Sequence, residues 1–242
     1  MNITYYAVSD IGGRKVNEDT VGTYESKERA GFVLCDGLGG HGMGDAASRL
    51  VKDVFINQFE NVEDIKDVLP TAFSAGQDIL MAEQKRLNAT RKMKTTAVAL
   101  VIDDKKAYVG HVGDSRLYIF RNNKVLKRTL DHSIPQMLVM SKEIKESEIR
   151  NHPDRSMLLK VMGIEWDEPM FELMRPISLK KCQAFLLCSD GFWELIDEDR
   201  MCALLEKSRS PEEWLKRMGD EVKANGLGIN MDNNSAIAVW NS

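Results

Sequence analysis

Three short apolar segments of this chain each lead directly into an aspartate. Residues 32–35 precede Asp36, residues 108–113 precede Asp114, and residues 185–189 precede Asp190. Segments of this length that are rich in β-branched and aromatic residues are typical of strands, and aspartate is common where a strand ends in a turn. We therefore predict three strands that each carry a carboxylate at one end.

Other strand-like and helical segments indicate the fold class. Strands are predicted over residues 3–9, 31–35, 95–120 (three consecutive strands), 184–188 and 235–240. Residues 103–105 and the pair Asn122-Asn123 have the composition of hairpin turns. Helical spacing of apolar residues predicts helices over residues 44–59 and 68–87. Strands in hairpin order with paired helices between them indicate antiparallel sheets covered by helices, in a single mixed α and β domain.

A third helix is predicted from its end signals. Ser210 is a suitable N-cap, Pro211 suits the first turn, and Glu213 stands three residues after the cap. The helix should run to Asn225, after which Gly226 is expected to adopt the left-handed conformation of a C-cap.

Composition and charge disfavour several classes of protein. The 242 residues, of which 43% are hydrophobic, suffice for one sizeable core but not for two domains of usual size. The formal net charge of −4 disfavours a nucleic-acid partner, which requires a basic face. No segment approaches the roughly 18 consecutive apolar residues of a membrane span, and the first residues do not resemble a signal peptide. The four cysteines lack zinc-type spacing, so we expect reduced thiols in a cytoplasmic protein. Nothing in the sequence demands an oligomer, so we expect a monomer.

The acidic residues near strand ends form one candidate site. Asp232 precedes the last predicted strand, and Glu18 and Asp19 precede the strand predicted over residues 31–35. If the strand ends converge, the carboxylates would repel one another unless cations lie between them. Ligands that are all oxygen suit Mg²⁺ or Mn²⁺ better than zinc or copper. The glycine that follows Asp36 would let backbone groups approach such ions closely.

Arg14 is a cation placed near this acidic set in the sequence, four residues before Glu18. A guanidinium can bind a phosphate through two parallel hydrogen bonds, as a phosphomonoester site requires. A surface arginine paired with a carboxylate has the same sequence signature, so spacing alone leaves both interpretations open.

A series of short motifs runs along nearly the whole chain. The motifs are Ser9-Asp10-Ile11-Gly12 with Arg14, Asn17-Glu18-Asp19, Asp36-Gly37-Leu38-Gly39-Gly40-His41-Gly42, Thr95-Thr96-Ala97, Val112-Gly113-Asp114-Ser115-Arg116, Asp131-His132-Ser133, Ser189-Asp190-Gly191-Phe192-Trp193 and Asp232-Asn233-Asn234-Ser235. This ordered set resembles the metal-dependent type 2C protein phosphatases, in the form typical of bacterial members. A match to one motif arises easily by chance, whereas a match to the ordered set does not.

The resemblance implies an α+β fold, in which a central antiparallel β-sandwich is flanked by pairs of helices and carries a metal centre at one end. It implies that Asp36 bridges two Mn²⁺ or Mg²⁺ ions and that the carbonyl of Gly37 binds one of them. Asp190 and Asp232 would hold the other ion.

The same resemblance assigns roles to the remaining candidates. Glu18 and Asp19 would act mainly through metal-bound waters, and Arg14 would bind the substrate phosphate. Asp114, together with Asp190, matches the position that binds a weaker third ion in bacterial relatives.

The implied activity is hydrolysis of phosphoserine and phosphothreonine in proteins, with the phosphoproteins of a cognate Ser/Thr kinase as substrates. The resemblance implies that bound ions would activate a water for in-line attack on phosphorus, without a phosphoenzyme. The chain lacks the Cys-x5-Arg segment of cysteine-dependent tyrosine phosphatases. One alternative is a pseudophosphatase that serves as a regulatory binding module, which predicts loss of a metal aspartate. Another is a dinuclear phosphodiesterase, which predicts more histidine ligands.

Two regions depart from the family pattern. Many eukaryotic relatives carry histidine directly after the Asp-Gly pair, where this chain has Leu38. His41 comes three residues later, so we expect a metal-bound water as the general acid and a structural role for His41. Residues 131–163 resemble a flap that lies beside the site in bacterial members, and Leu159-Lys160 stands where Thr-Arg is common. The flap differences concern flap mobility and substrate preference rather than the reaction, whereas Leu38 concerns the identity of the general acid.

Overall fold

The computed structural model describes residues 2–38, 42–90 and 92–241. The strands are β1 (Ile3–Asp10), β2 (Asp19–Glu25), β3 (Ala30–Asp36), β4 (Ala97–Ile102), β5 (Lys106–Val112), β6 (Arg116–Arg121), β7 (Lys124–Arg128), β8 (Glu172–Leu173), β9 (Ile177–Ser178), β10 (Ala184–Cys188) and β11 (Asn234–Asn241). The α-helices are α1 (Gly44–Asn61), α2 (Ile65–Arg86), α3 (Ile134–Met140), α4 (Asp190–Trp193), α5 (Glu198–Glu206) and α6 (Pro211–Asn225). Short 3₁₀ helices span Glu146–Asn151 and Leu179–Lys181.

The strands pair into two antiparallel sheets. One has the order β1-β11-β10-β6-β7, and the other has the order β2-β3-β4-β5-β8, with β9 also paired to β5. The register of β2 against β3 places Asp19 directly opposite Asp36. The register of β1 against β11 places Asp10 opposite Asn234, two residues after Asp232. Pairing therefore brings distant acidic segments to the same end of the molecule.

Side chains that alternate along the strands build the core between the sheets. Phe32 and Leu34 of β3 lie in one buried cluster with Ile119 of β6 and Phe185 of β10. Val33, which points the other way, packs with residues of α1 and α2. Because successive side chains point to opposite faces, a strand covered on both sides is apolar throughout. This burial explains the continuous apolar runs that precede the aspartates.

Helices cover both outer faces of the sandwich. α1 and α2 cover the sheet that contains β3, where Phe55 and Phe73 meet edge to face with ring centroids 4.9 Å apart. α5 and α6 cover the other sheet, where Trp214 and Met218 are fully buried. These four layers confirm the expected antiparallel β-sandwich flanked by pairs of helices. Within the described ranges, no helix has the length and apolar character that crossing a bilayer requires.

Four strands are absent from the sequence-based prediction: β8 and β9, which are only two residues long, and the longer β2 and β7. β2 was not predicted: Asp19 is its first residue and Glu18 immediately precedes it, so a whole strand separates this pair from residues 31–35. β7 follows the Asn122-Asn123 turn, and both asparagines have positive φ (51° and 57°), as a two-residue hairpin turn of this hand requires. Both strands leave many side chains partly or fully exposed, so neither has the apolar run that marks β3.

One helix end also differs. The hydroxyl of Ser210 accepts the Glu213 N–H at 3.1 Å, and α6 ends at Asn225 as predicted. Gly226 has a φ of −82°, so the expectation of a left-handed C-cap is wrong. A Cβ at Gly226 would lie 2.0 Å from Sδ of Met231, so a larger residue there would require the Met231 side chain to move.

Candidate metal centre

The sheets end at a cleft of about 570 Å³. The predicted site residues that line it are Arg14, Glu18, Asp36, Gly37, Asp114, Asp190 and Asp232. Asp19 is only 6% exposed and sits opposite Asp36 in the β2–β3 ladder. The structure thus brings all eight candidate residues to one end of the sandwich.

Asp36 is held at the end of β3 through its backbone. Its N–H donates to Oγ1 of Thr96 at 3.2 Å, and the Thr96 N–H donates to the Asp36 carbonyl at 2.8 Å. The Thr95 hydroxyl donates to the same carbonyl at 2.8 Å. Because these contacts use the backbone, the carboxylate of Asp36 remains available to the cleft.

Gly37 lies where three segments approach closely. Its N–H donates to the carbonyl of Glu18 at 3.1 Å. A Cβ at Gly37 would lie 2.2 Å from the carbonyl oxygen of Gly44, the first residue of α1. The Glu18 N–H donates in turn to Oδ1 of Asn233 at 2.9 Å. A side chain at position 37 would therefore push α1 and the Glu18 segment away from the cleft.

Asp190 and Asp232 approach the cleft from neighbouring segments. Asp190 is the first residue of α4, and its Oδ1 accepts the Gly191 N–H at 2.6 Å. A Cβ at Gly191 would lie 2.2 Å from the carbonyl of Asn233, so glycine permits the contact between the two segments. Oδ2 of Asp232 accepts a hydrogen bond from Nη2 of Arg14 at 2.7 Å. The Arg14 side chain therefore has the features of both interpretations, because it lines the cleft and also pairs with a carboxylate.

Burial and mutual repulsion raise the pKa values of the clustered carboxyl groups. Burial, followed by the charges of Asp19 and Asp190, raises the pKa of Asp36 well above its ordinary value. Burial is also the largest cause for Asp190, whose pKa is about 7, and for Asp19, whose pKa is about 6. The pKa of Asp114 is raised by burial and then by the charge of Asp190. An ionised cluster of this kind is costly unless cations compensate it.

The donor atoms fit hard divalent cations. Oδ2 of Asp19 accepts the Ser189 hydroxyl at 2.8 Å, but Oδ1 is buried without a hydrogen-bond partner. Among the described residues lining the cleft, the carboxylates greatly outnumber the basic residues Arg14 and Lys15. Buried carboxylate oxygens with free lone pairs are ligands that Mg²⁺ and Mn²⁺ prefer.

A second group of possible metal ligands, His111, His132 and Glu172, has its ligand atoms within 4.8 Å of one another. The two imidazole rings are stacked, with centroids 4.6 Å apart and an angle of 18° between their planes. Nitrogen lone pairs lie in the ring plane, so nearly parallel rings do not direct them to one ion. Nδ1 of His132 also accepts the Gly113 N–H at 3.2 Å, which places the ring proton on Nε2, 3.0 Å from Glu172. This group is better described as a structural cluster than as a metal site.

Supporting residues beside the candidates were not singled out from the sequence. The Asn233 side chain accepts the Glu18 N–H and donates to two carbonyls of the loop before β2. The Ser189 hydroxyl donates to Asp19 and accepts the N–H of Ser235 at 2.9 Å. Both residues belong to the ordered motifs, beside Asp232 and Asp190, but the sequence assigned no role to either of them.

The structure locates the predicted flap segment, but it describes only one of the two residues that bear on the general acid. Residues 131–163 contain α3 and the first 3₁₀ helix, and Ser156 and Leu158 line the cleft. Leu38 lines it as well. His41, for which we expect a structural role, falls outside the described residues.

Comparisons with known proteins agree with this architecture. The family model described as protein phosphatase 2C matches residues 8–224. A serine/threonine phosphatase of Listeria welshimeri is 33% identical over 210 residues, which cover 83% of this chain and 81% of the relative. The structure of the serine/threonine phosphatase Stp1 from Staphylococcus aureus has a TM-score of 0.91 and 26% identity, over 100% of this chain and 96% of that chain.

A further structure, the catalytic domain of PstP in complex with two manganese ions, has a TM-score of 0.80 and 25% identity, over 98% of this chain and 97% of that chain. The resemblance first suggested by the ordered motifs is confirmed by a family match that spans most of the sequence and by relatives named as serine/threonine phosphatases. The chain belongs to the protein phosphatase 2C family.

Proposed function

We propose that this chain is a divalent-metal-dependent phosphatase that removes phosphate from phosphoserine and phosphothreonine in proteins. The observation that carries the proposal is the convergence of carboxylates around Asp36, with Arg14 in the same cleft. Burial and repulsion raise the pKa values of Asp36, Asp114 and Asp190, and bound cations would relieve that cost.

Each candidate residue has a role in this proposal. Asp36 would contact both of two Mn²⁺ or Mg²⁺ ions, the Gly37 carbonyl would bind one of them, and Asp190 and Asp232 would bind the other. Glu18 and Asp19 would act through intervening waters, and Asp114 beside Asp190 would hold a weaker third ion. When bound, such ions activate water for attack on phosphorus and offset the charge of the phosphoryl group.

Arg14 would bind the substrate phosphate. Its Nη2 lies 2.7 Å from Asp232, and 47% of its side chain is exposed, so the guanidinium can turn without disturbing the core. If Asp232 binds a cation, Arg14 loses this partner and its two parallel N–H groups become available to phosphate oxygens. The ion pair and the phosphate contact are then alternative states of one side chain.

The substrates we propose are phosphoproteins produced by a Ser/Thr kinase that acts in the same compartment, for which we expect the cytoplasm. The alternative is a non-catalytic binding module of the same fold. None of the described residues that line the cleft favours that alternative, because every acidic residue of the expected set lines the cleft or adjoins it. The general acid for the leaving alkoxide stays unassigned, with a metal-bound water as our expectation.

The test is release of phosphate from a phosphothreonine peptide with Mn²⁺, with Mg²⁺, and with EDTA. Asp190→Asn should lower kcat by about 10³-fold or more, because it removes a charged ligand from the proposed metal centre. The matched control is Asp220→Asn, which changes an exposed aspartate of α6 outside the cleft. Activity that survives EDTA, or that is equal in the two variants, would contradict the proposal.

A further inference from the structure

Asp114 and Asp190 come from different segments and carry like charges at close range. Asp114 lies in the loop between β5 and β6, whereas Asp190 follows β10 and begins α4. Both carboxylates line the same cleft, which brings their charges near one another. Their repulsion favours separation of the two segments, so contacts elsewhere must hold them together.

The Trp193 side chain connects these two segments. Trp193 is the last residue of α4, three positions after Asp190. Its indole N–H donates to the backbone carbonyl of Asp114 at 3.1 Å, and the side chain is only 2% exposed. Because water has little access to this hydrogen bond, breaking it would leave a buried carbonyl without a partner.

Arg116 holds the Trp193 ring in place. The carbon at the centre of its guanidinium lies 3.4 Å from the ring centroid, within the range of a cation–π contact. Nε and Nη2 donate to the two carboxylate oxygens of Asp131 at 2.8 and 2.6 Å, and Nη1 donates to the Tyr118 hydroxyl at 2.9 Å. The guanidinium cannot leave the ring without losing buried, charge-assisted hydrogen bonds.

We propose that Arg116 and Trp193 are a positioning pair that holds Asp114 and Asp190 at the separation required for metal binding. This inference rests on the proposed function of these aspartates. Neither side chain lines the cleft. The pair therefore acts through the two carboxylates and not on the substrate. Both residues belong to motifs whose acidic members receive direct roles, and the structure adds a supporting role for their neighbours.

Trp193→Phe tests this role, with Trp214→Phe as a matched control. Trp214 is also fully buried, and its indole N–H also donates to a backbone carbonyl, that of Met201, at 3.0 Å. Trp214 lies in α6, outside the cleft. Each variant keeps an aromatic ring and loses one buried N–H···O hydrogen bond. We therefore expect similar losses of unfolding free energy in the two variants.

Only Trp193→Phe should change metal binding and turnover. In calorimetric titrations with Mn²⁺ alone, we expect the weakest site to bind about tenfold less tightly, as is typical when a residue that supports a metal ligand is removed. On a phosphothreonine peptide, kcat should fall about tenfold while KM stays within about twofold, because the substrate contacts are intact. Trp214→Phe should match the unaltered protein in all three quantities.

Arg116→Lys gives an independent measurement. Lysine keeps a positive charge near Asp131 but lacks the planar group that covers the Trp193 ring, so Mn²⁺ binding should again weaken. If the folded Trp193→Phe and Arg116→Lys proteins both titrate Mn²⁺ like Trp214→Phe, the positioning role is wrong. If the unaltered protein neither binds Mn²⁺ nor releases phosphate, the proposed function fails and this inference fails with it.

Discussion

Replacing Asp190 by asparagine should stabilise the metal-free protein at neutral pH, although it removes a residue of the candidate metal centre. Burial, followed by the charges of Glu194 and Asp232, raises the pKa of Asp190 from its ordinary 3.8 to about 7. Above that pH the Asp190 carboxylate is ionised in the folded protein, although its buried surroundings destabilise the charge. Asparagine retains the shape and the oxygen that accepts the Gly191 N–H, but it carries no charge.

The magnitude follows from the difference between the two pKa values. From 3.8 to about 7 is about 3 pH units, and each unit corresponds to about 1.4 kcal/mol. Full ionisation of Asp190 in the folded protein therefore costs about 4 kcal/mol relative to the unfolded chain. Because the neighbouring carboxylates also change their protonation when Asp190 is neutral, we expect Asp190→Asn to raise the free energy of unfolding by about 2–4 kcal/mol near pH 8.

The sign of the pH dependence is fixed by the direction of the pKa change. The pKa of Asp190 is higher in the folded protein, so the folded state binds the extra proton between about pH 4 and pH 7. The stability due to this proton is complete below about pH 4 and is lost as the pH rises through about 7. Asp190→Asn lacks this titration, so its advantage should be small near pH 4 and should grow toward pH 8.

The assay is urea unfolding in EDTA at about pH 5 and about pH 8, with Asp220→Asn as the control. Millimolar Mn²⁺ at the higher pH should reverse the order, because an ion that binds the folded state stabilises only the protein that keeps the full ligand set. The reasoning is refuted if metal-free Asp190→Asn is less stable than the unaltered protein at about pH 8, or if its advantage is the same at both pH values.

Three further perturbations test other parts of the structure. Arg14→Ala should lower kcat/KM on a phosphothreonine peptide by about 10²-fold, because the phosphate loses a bidentate partner. An unchanged kcat/KM in steady-state kinetics would contradict this role. Gly113→Ala should lower the free energy of unfolding by about 2–4 kcal/mol in urea titrations, because φ is +99° and a Cβ would lie 2.5 Å from Cγ2 of Thr96. A loss under about 1 kcal/mol would argue against strain at this position. The thiols of Cys35 and Cys188 are fully buried, and burial raises their pKa values, so a disulfide reagent should label them only after unfolding. Rapid labelling of the native protein would contradict this prediction.

Local sequence patterns predicted the strands that carry the site, but they did not predict β2 and β7, the strands beside them. β3, β5 and β10 are almost wholly buried, so nearly every side chain contributes to an apolar run. β2 and β7 leave many side chains partly or fully exposed, and their extended conformation depends on pairing with β3 and β6. β-propensity is weak evidence for such strands, because their environment comes from neighbours distant in the sequence.

The aspartates at strand ends, their oxygen chemistry and the family motifs were all evident from the sequence alone, because each is a local feature. Only the tertiary structure decided which partners meet at the cleft. Arg14 contacts Asp232 across 218 positions of sequence, and Trp193 contacts Asp114 across 79 positions. Such contacts depend on sheet register and on the packing of helices against the sandwich, and a local pattern does not encode either of them.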